Sequence, residues 1–217
     1  MMPAQHLPEE QTRLVPRHSE AERLTHWAVA LAYVALFLSG LAMFHPFFFW
    51  TSSLFGSAAF MRVLHPFLGA AFFLLFYVYA LRLVRDNAWL PSDTAWLRSM
   101  FAFMNKKAEP RVDGKYNAGQ KLMYWSMLAV VAVLLVSGVC MWRPYFAPTL
   151  PVGVRRLANV VHAAMAFVMF VGIGVHVYAA IWTKGSIRSM IRGTVTSAWA
   201  RFHAPGWYEK VARKDAS

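Results

Sequence analysis

Cysteine is almost absent from this chain of 217 residues, with Cys140 standing alone. A single thiol excludes an intrachain disulfide, a CxxCH attachment site for c-type haem and a cysteine-ligated iron–sulfur cluster held by this chain. Acidic residues are scarce, ten against 22 Lys and Arg. Charge of either sign is missing from four stretches: Leu24–Met61, Val63–Leu81, Leu122–Trp142 and Leu157–Thr183. Runs of that kind exclude an ordinary soluble domain. The first 23 residues are polar and charged and hold no short apolar core, so no cleavable leader is expected.

What is present is apolar: 58% of the residues are hydrophobic. A helix needs about 20 apolar residues to cross a bilayer. The first charge-free run is too long for one crossing and is interrupted by Pro46, followed by an aromatic segment suited to the interface. Four transmembrane helices are therefore predicted, at 25–44, 63–84, 121–142 and 157–183. The predicted fold is an all-α membrane protein, a four-helix bundle with interfacial cytoplasmic segments. Residues 1–24 form an N-terminal tail, 25–183 the transmembrane domain and 184–217 a C-terminal tail. The inner loop is 85–120, with a short helix over Ser92–Met104, and the outer loops are 45–62 and 143–156. The basic, aromatic C-terminal tail predicts one or two helices lying on the membrane surface.

The net charge of +12 invites a nucleic-acid reading, but its distribution argues against one. Eighteen of the 22 basic residues fall in the two tails and the stretch from Arg82 to Lys121. Only Arg62, Arg143, Arg155 and Arg156 fall in the other connections. Positive residues mark the cytoplasmic side. Both termini are thus expected inside, in a bacterial inner membrane, and the charge is read as topology plus attraction to anionic lipid.

Against this charge-free background stand four histidines, His26, His65, His162 and His176. An ionisable side chain within a span is costly and marks function by default. Topology puts His26 at the inner face and His65 at the outer face. His162 and His176 are 14 residues apart, which is about 21 Å and close to four whole turns, so they share one face of their helix. The depths pair His65 with His162 and His26 with His176, as axial ligands of two b-type haems. Any one of these histidines is as readily interfacial or hydrogen-bonded to a neighbouring helix. Four at complementary depths on three helices favour the ligand reading. Gly69, Ala70, Gly172 and Gly174 offer room for a macrocycle. Arg62, Arg155, Arg156 and Arg23 are candidates for holding propionates, though snorkelling to the interface explains them equally. His6, His18, His45 and His203 lie outside the pattern. Hexacoordinate bis-histidine iron has no open position for oxygen chemistry and exchanges electrons.

Two further features are weaker. Ser39-Gly40-x-x-Met43 near the end of the first span is echoed by Ser137-Gly138-x-x-Met141 in the third, a faint internal repeat. Asn117 and Gly119, just before the third span, could meet the carbonyls of a quinone; by spacing alone they read as an ordinary helix cap after a turn.

Several segments resemble the cytochrome b (gamma) subunit of respiratory formate dehydrogenases. They are Leu64-His65-Pro66-Phe67, Gly114-Lys115-Tyr116-Asn117-Ala118-Gly119-Gln120-Lys121, Val136-Ser137-Gly138-Val139 with Trp142-Arg143-Pro144-Tyr145-Phe146-Ala147, and Trp182-Thr183-Lys184-Gly185-Ser186-Ile187. The likeness runs from about Arg17 to Tyr208; a longer N-terminal tail departs from it. The resemblance implies the same four haem ligands and a quinone site (menaquinone or ubiquinone) at Asn117, Gly119 and His176. It also implies two periplasmic partners, an iron–sulfur (beta) subunit and a molybdenum or tungsten catalytic (alpha) subunit, with a higher oligomer of the heterotrimer allowed. The expected function is transfer of electrons across the membrane to quinone at the cytoplasmic side. The alternatives are a cytochrome b anchor of a hydrogenase or other periplasmic oxidoreductase, and a haem-free transporter or structural anchor.

Overall fold

The computed structural model describes residues 12–103, 111–143 and 145–215; the expected helix end at Met104, His6 and Pro144 lie outside them. Four long helices dominate: α1 (Glu20–Phe44), α2 (Ala58–Leu83), α4 (Ala118–Met141) and α5 (Val152–Trp182). Each is long and apolar enough to cross a membrane. Short elements complete the chain: β1 (Leu14–Pro16), a 3-10 helix (Pro46–Phe55), α3 (Pro91–Phe103), a second 3-10 turn (Ala147–Thr149), α6 (Ser186–Arg192), β2 (Thr194–Thr196), α7 (Ser197–His203) and α8 (Pro205–Asp215).

The four spans appear where the charge-free runs predict them, but every one begins three to five residues earlier. The reason is local. α1 starts with a capping box: Ser19 N donates to Glu22 Oε2 at 2.8 Å and Glu22 N to Ser19 Oγ at 3.2 Å. Charged first turns lengthen a helix beyond the part that hydrocarbon requires. α3 matches the expected short helix.

The residues fall into two compact units. One consists of Leu24–Arg82 and Trp125–His176, the body of the four spans. It is apolar outside as well as in: Leu31, Val136, Leu157, Val160 and Phe167 are all exposed, the pattern of a surface solvated by lipid. Inside, Phe37 stacks on Phe170 with centroids 5.0 Å apart, and Tyr77 Oη donates to the Leu128 carbonyl at 2.8 Å. Thr51 Oγ1 donates to the Leu38 carbonyl at 2.9 Å, tying the 3-10 helix back to α1.

The other unit gathers the described residues up to Arg23, Leu83–Tyr124 and the chain from Val177 onward. β1 pairs antiparallel with β2, Val15 opposite Val195, and these two valines with Ala200 form a small core lined by Trp199, Trp207, Tyr208 and Val211. Arg17 is buried there. Its guanidinium carbon lies 4.8 Å from the Trp199 ring and 4.9 Å from that of Trp207, and Nη2 donates to the Lys115 carbonyl at 2.6 Å. Burial holds its pKa down at about 10. Gly193 ends α6 at φ +76°, and a Cβ there would stand 2.7 Å from the His18 carbonyl, which is why only glycine fits. Lys121 is fully buried, its Nζ 2.7 Å from Asp93 Oδ2. Asp93 Oδ2 also accepts from Leu90 N at 2.6 Å.

Two predictions follow from this unit's buried charges. Lys121→Met leaves the Asp93 carboxylate buried and unpaired, and unfolding of the detergent-solubilised chain is expected to fall by about 3–5 kcal/mol; thermal and denaturant melts measure it. His18 is held at about pKa 4 by burial, then by the Lys115 and Arg17 charges, against a smaller opposing pull from Glu22. The unfolded ring takes its proton near 6.5, so the stability from the neutral ring is present above that pH and is lost as pH falls toward about 4. Melting midpoints across this window should drop more steeply for the native chain than for His18→Gln.

Candidate functional site

Three helices deliver the four intramembrane histidines: α1 carries His26, α2 His65, and α5 both His162 and His176. They meet as the two pairs that helical depth predicts. The His65 and His162 ring centroids are 6.4 Å apart with planes at 68°. Those of His26 and His176 are 6.3 Å apart at 46°. His26, His65 and His162 are half-buried, while His176 is exposed.

That separation has a chemical meaning. A metal–imidazole bond is about 2.0–2.1 Å and the ring centroid lies about 1.1 Å behind its nitrogen, so two imidazoles trans across one ion sit about 6.3 Å apart, centre to centre. Both pairs have this spacing. Among the described residues no group of three or more His, Cys, Asp or Glu could hold a metal ion. Two facing imidazoles are the donor set that a protein offers to a bis-histidine haem. Room is kept by glycine: a Cβ at Gly138 would stand 3.3 Å from His162 Cε1, and one at Gly40 3.6 Å from His65 Cε1. A Cβ at Gly174 would meet nothing within 4 Å.

The candidate propionate arginines differ in their surroundings. Arg155 Nε is buried with no hydrogen-bond partner, a donor suited to an anionic ligand group. Arg23 Nη1 already donates to the Ile191 carbonyl at 2.5 Å, and Arg62 Nε donates to the Ala58 carbonyl at 3.2 Å.

Asn117 and Gly119 lie in the other unit, at the start of α4. Asn117 caps the helix: Gln120 N donates to Asn117 Oδ1 at 2.9 Å, and Asn117 N to Gln120 Oε1 at 3.1 Å. The capping alternative weighed from spacing is thus realised. It occupies the Asn117 oxygen and not its amide N–H₂. Gly119 backs onto the ring of Trp96, 3.5 Å from a would-be Cβ.

Two residues at the histidine pairs carry no expectation from sequence. Ser39 Oγ is 2.7 Å from His65 Nδ1, and Ser137 Oγ is 3.0 Å from His162 Nδ1. Their signal was the repeated Ser-Gly, whose serine reaches a ring and whose glycine makes room for it.

The sequence profile of the prokaryotic cytochrome b561 family matches residues 17–193. The chain belongs to this family. As a b561-family member it is a haem-binding helical membrane bundle, and the paired imidazoles are the residues that fit the haem b this membership implies. Curated relatives are close in length. The nitrate-inducible formate dehydrogenase cytochrome b556(Fdn) subunit of Escherichia coli K12 is 37% identical over 206 residues, covering 94% of this chain and 95% of that protein. The formate dehydrogenase cytochrome b556(fdo) subunit of the same strain is 38% identical over 199 residues, covering 92% and 94%. The formate dehydrogenase cytochrome b556 subunit of Haemophilus influenzae is 37% identical over 205 residues, covering 94% and 86%.

Proposed function

We propose that the chain is the cytochrome b membrane subunit of a formate dehydrogenase, carrying electrons across the bacterial inner membrane to a quinone, menaquinone or ubiquinone, at the cytoplasmic side. The observation that carries this is the pair of imidazole pairs, each at one-ion spacing, stacked along α5 in a bundle whose relatives are formate dehydrogenase cytochrome b556 subunits. Those relatives favour this reading over a hydrogenase anchor, and family membership favours it over a haem-free transporter.

His65 and His162 hold the outer haem, and His26 and His176 the inner one. When bound, haem would supply a one-electron carrier, with these four histidines as the residues that would hold it. The chain's own residues do the rest. The charge-free bundle excludes water, and the histidines set the two levels about 21 Å apart along α5. Arg155, whose buried Nε has no partner, is the candidate to hold a propionate of the outer haem. The basic tails and the 85–120 loop hold the termini in the cytoplasm. Quinone takes its polar contacts from Asn117, Gly119 and His176, with protons drawn from the cytoplasm. The partners are an iron–sulfur subunit and a molybdenum or tungsten catalytic subunit on the periplasmic side, where formate itself is oxidised.

Two measurements test this. His162→Ala and His26→Ala should each lower the haem-to-chain ratio from two to one by pyridine haemochrome assay; two haems in either variant would remove the ligand assignment. Asn117→Asp keeps an N-cap acceptor but loses the amide donor. In the assembled complex, quinone reduction by formate should fall about tenfold or more while formate still reduces the haems. An unchanged quinone rate would take Asn117 out of the site.

A further inference from the structure

The serines of the repeated Ser-Gly pair do more than fill space. Ser39 is 1% exposed and Ser137 5%. Each hydroxyl has one proton and faces a carbonyl that can only accept it. Ser39 Oγ donates to the Leu36 carbonyl at 3.0 Å, and Ser137 Oγ to the Val133 carbonyl at 2.6 Å. With that proton committed, each oxygen has lone pairs to offer to the ring nitrogen beside it, His65 Nδ1 at 2.7 Å and His162 Nδ1 at 3.0 Å. A neutral imidazole that donates from Nδ1 carries its free lone pair on Nε2. Serines thus select, in both rings of this pair, the tautomer whose lone pair lies on Nε2.

We propose that Ser39 and Ser137 are positioning residues for the His65/His162 haem, fixing Nε2 as the ligand atom and lowering the tendency of that level to accept an electron. The inference rests on the ligand assignment proposed above. Hydrogen bonding at the distal nitrogen makes an imidazole a stronger donor, and stronger axial donation favours the ferric state. The other level is built differently: His26 Nδ1 is buried with no hydrogen-bond partner among the described residues. The contrast biases electrons away from the His65/His162 level and toward the His26/His176 level, the direction of flow that quinone reduction at the inner face requires.

The test is equilibrium redox titration of the full complex carrying Ser39→Ala, Ser137→Ala, both, or the corresponding Ser→Thr changes. Absorbance and low-spin haem resonances are followed, and the two signals are assigned with the single-haem His65→Ala and His26→Ala chains. Each alanine should shift the ferric/ferrous equilibrium of the His65/His162 haem toward the ferrous form by about threefold to tenfold, about 28–59 mV upward at 59 mV per decade for one electron. The His26/His176 haem should stay put, and the threonine variants, which keep the hydroxyl, should match the native chain. Loss of the outer haem in the alanine variants with retention in the threonine variants also supports the proposal. It is overturned if the double alanine variant keeps both haems with neither potential moved. It is likewise overturned if both haems move equally, or if threonine behaves as alanine does. Two haems surviving in His65→Ala would mark failure of the ligand assignment instead.

Discussion

The facing imidazoles, His65 with His162 and His26 with His176, are the contacts on which the arrangement of the bundle turns. Centroid separations of 6.4 and 6.3 Å match the span of one metal ion held between two ring nitrogens. The helices bearing the rings must hold both distance and rotation. Leaving imidazoles within an apolar bundle is costly unless they are satisfied, and coordination to one metal satisfies two at once. Small residues against the rings, an unpartnered Arg155 Nε and the charge-free stretches that hold the four histidines are the surroundings such a centre would need. The long helices spend their remaining surface on lipid, which is why so little of each is buried within the chain.

The bundle and the histidine pairing were legible in the sequence because both rest on simple periods. Charge-free length gives the spans, and a 14-residue interval on a 3.6-residue helix returns to the same face. The starts of α1 and α4 were displaced because reciprocal caps, Ser19 with Glu22 and Asn117 with Gln120, begin a helix before the apolar run does. Ser39 and Ser137 escaped as site residues because a serine in an apolar helix satisfies itself on the preceding turn; nothing in one sequence says that its lone pairs also meet a ring on another helix. The three-residue β1 has no periodicity to read, and its partner is far away in the chain.

Asn117 shows how two readings of one residue can both hold. Its carbonyl oxygen is committed to the α4 cap, so any role toward a ligand falls to its amide hydrogens. A substitution that ignores this would shorten α4 and change the ligand contact together. The neighbouring Asp93–Lys121 pair ties the first turn of α4 to the first turn of α3 with a buried charge on each side.

The pairing of β1 with β2 carries a consequence for biosynthesis. Leu14 lies opposite Thr196, roughly 180 residues later, so this contact is among the most distant in order that the chain makes. The N-terminal strand leaves the ribosome long before its mate is made, and Arg17 waits for Trp199 and Trp207 just as long. Closure of this small sheet is therefore a late, post-translational event. A nascent chain stalled before residue 194 has every membrane span in hand and still lacks the clasp between its two ends.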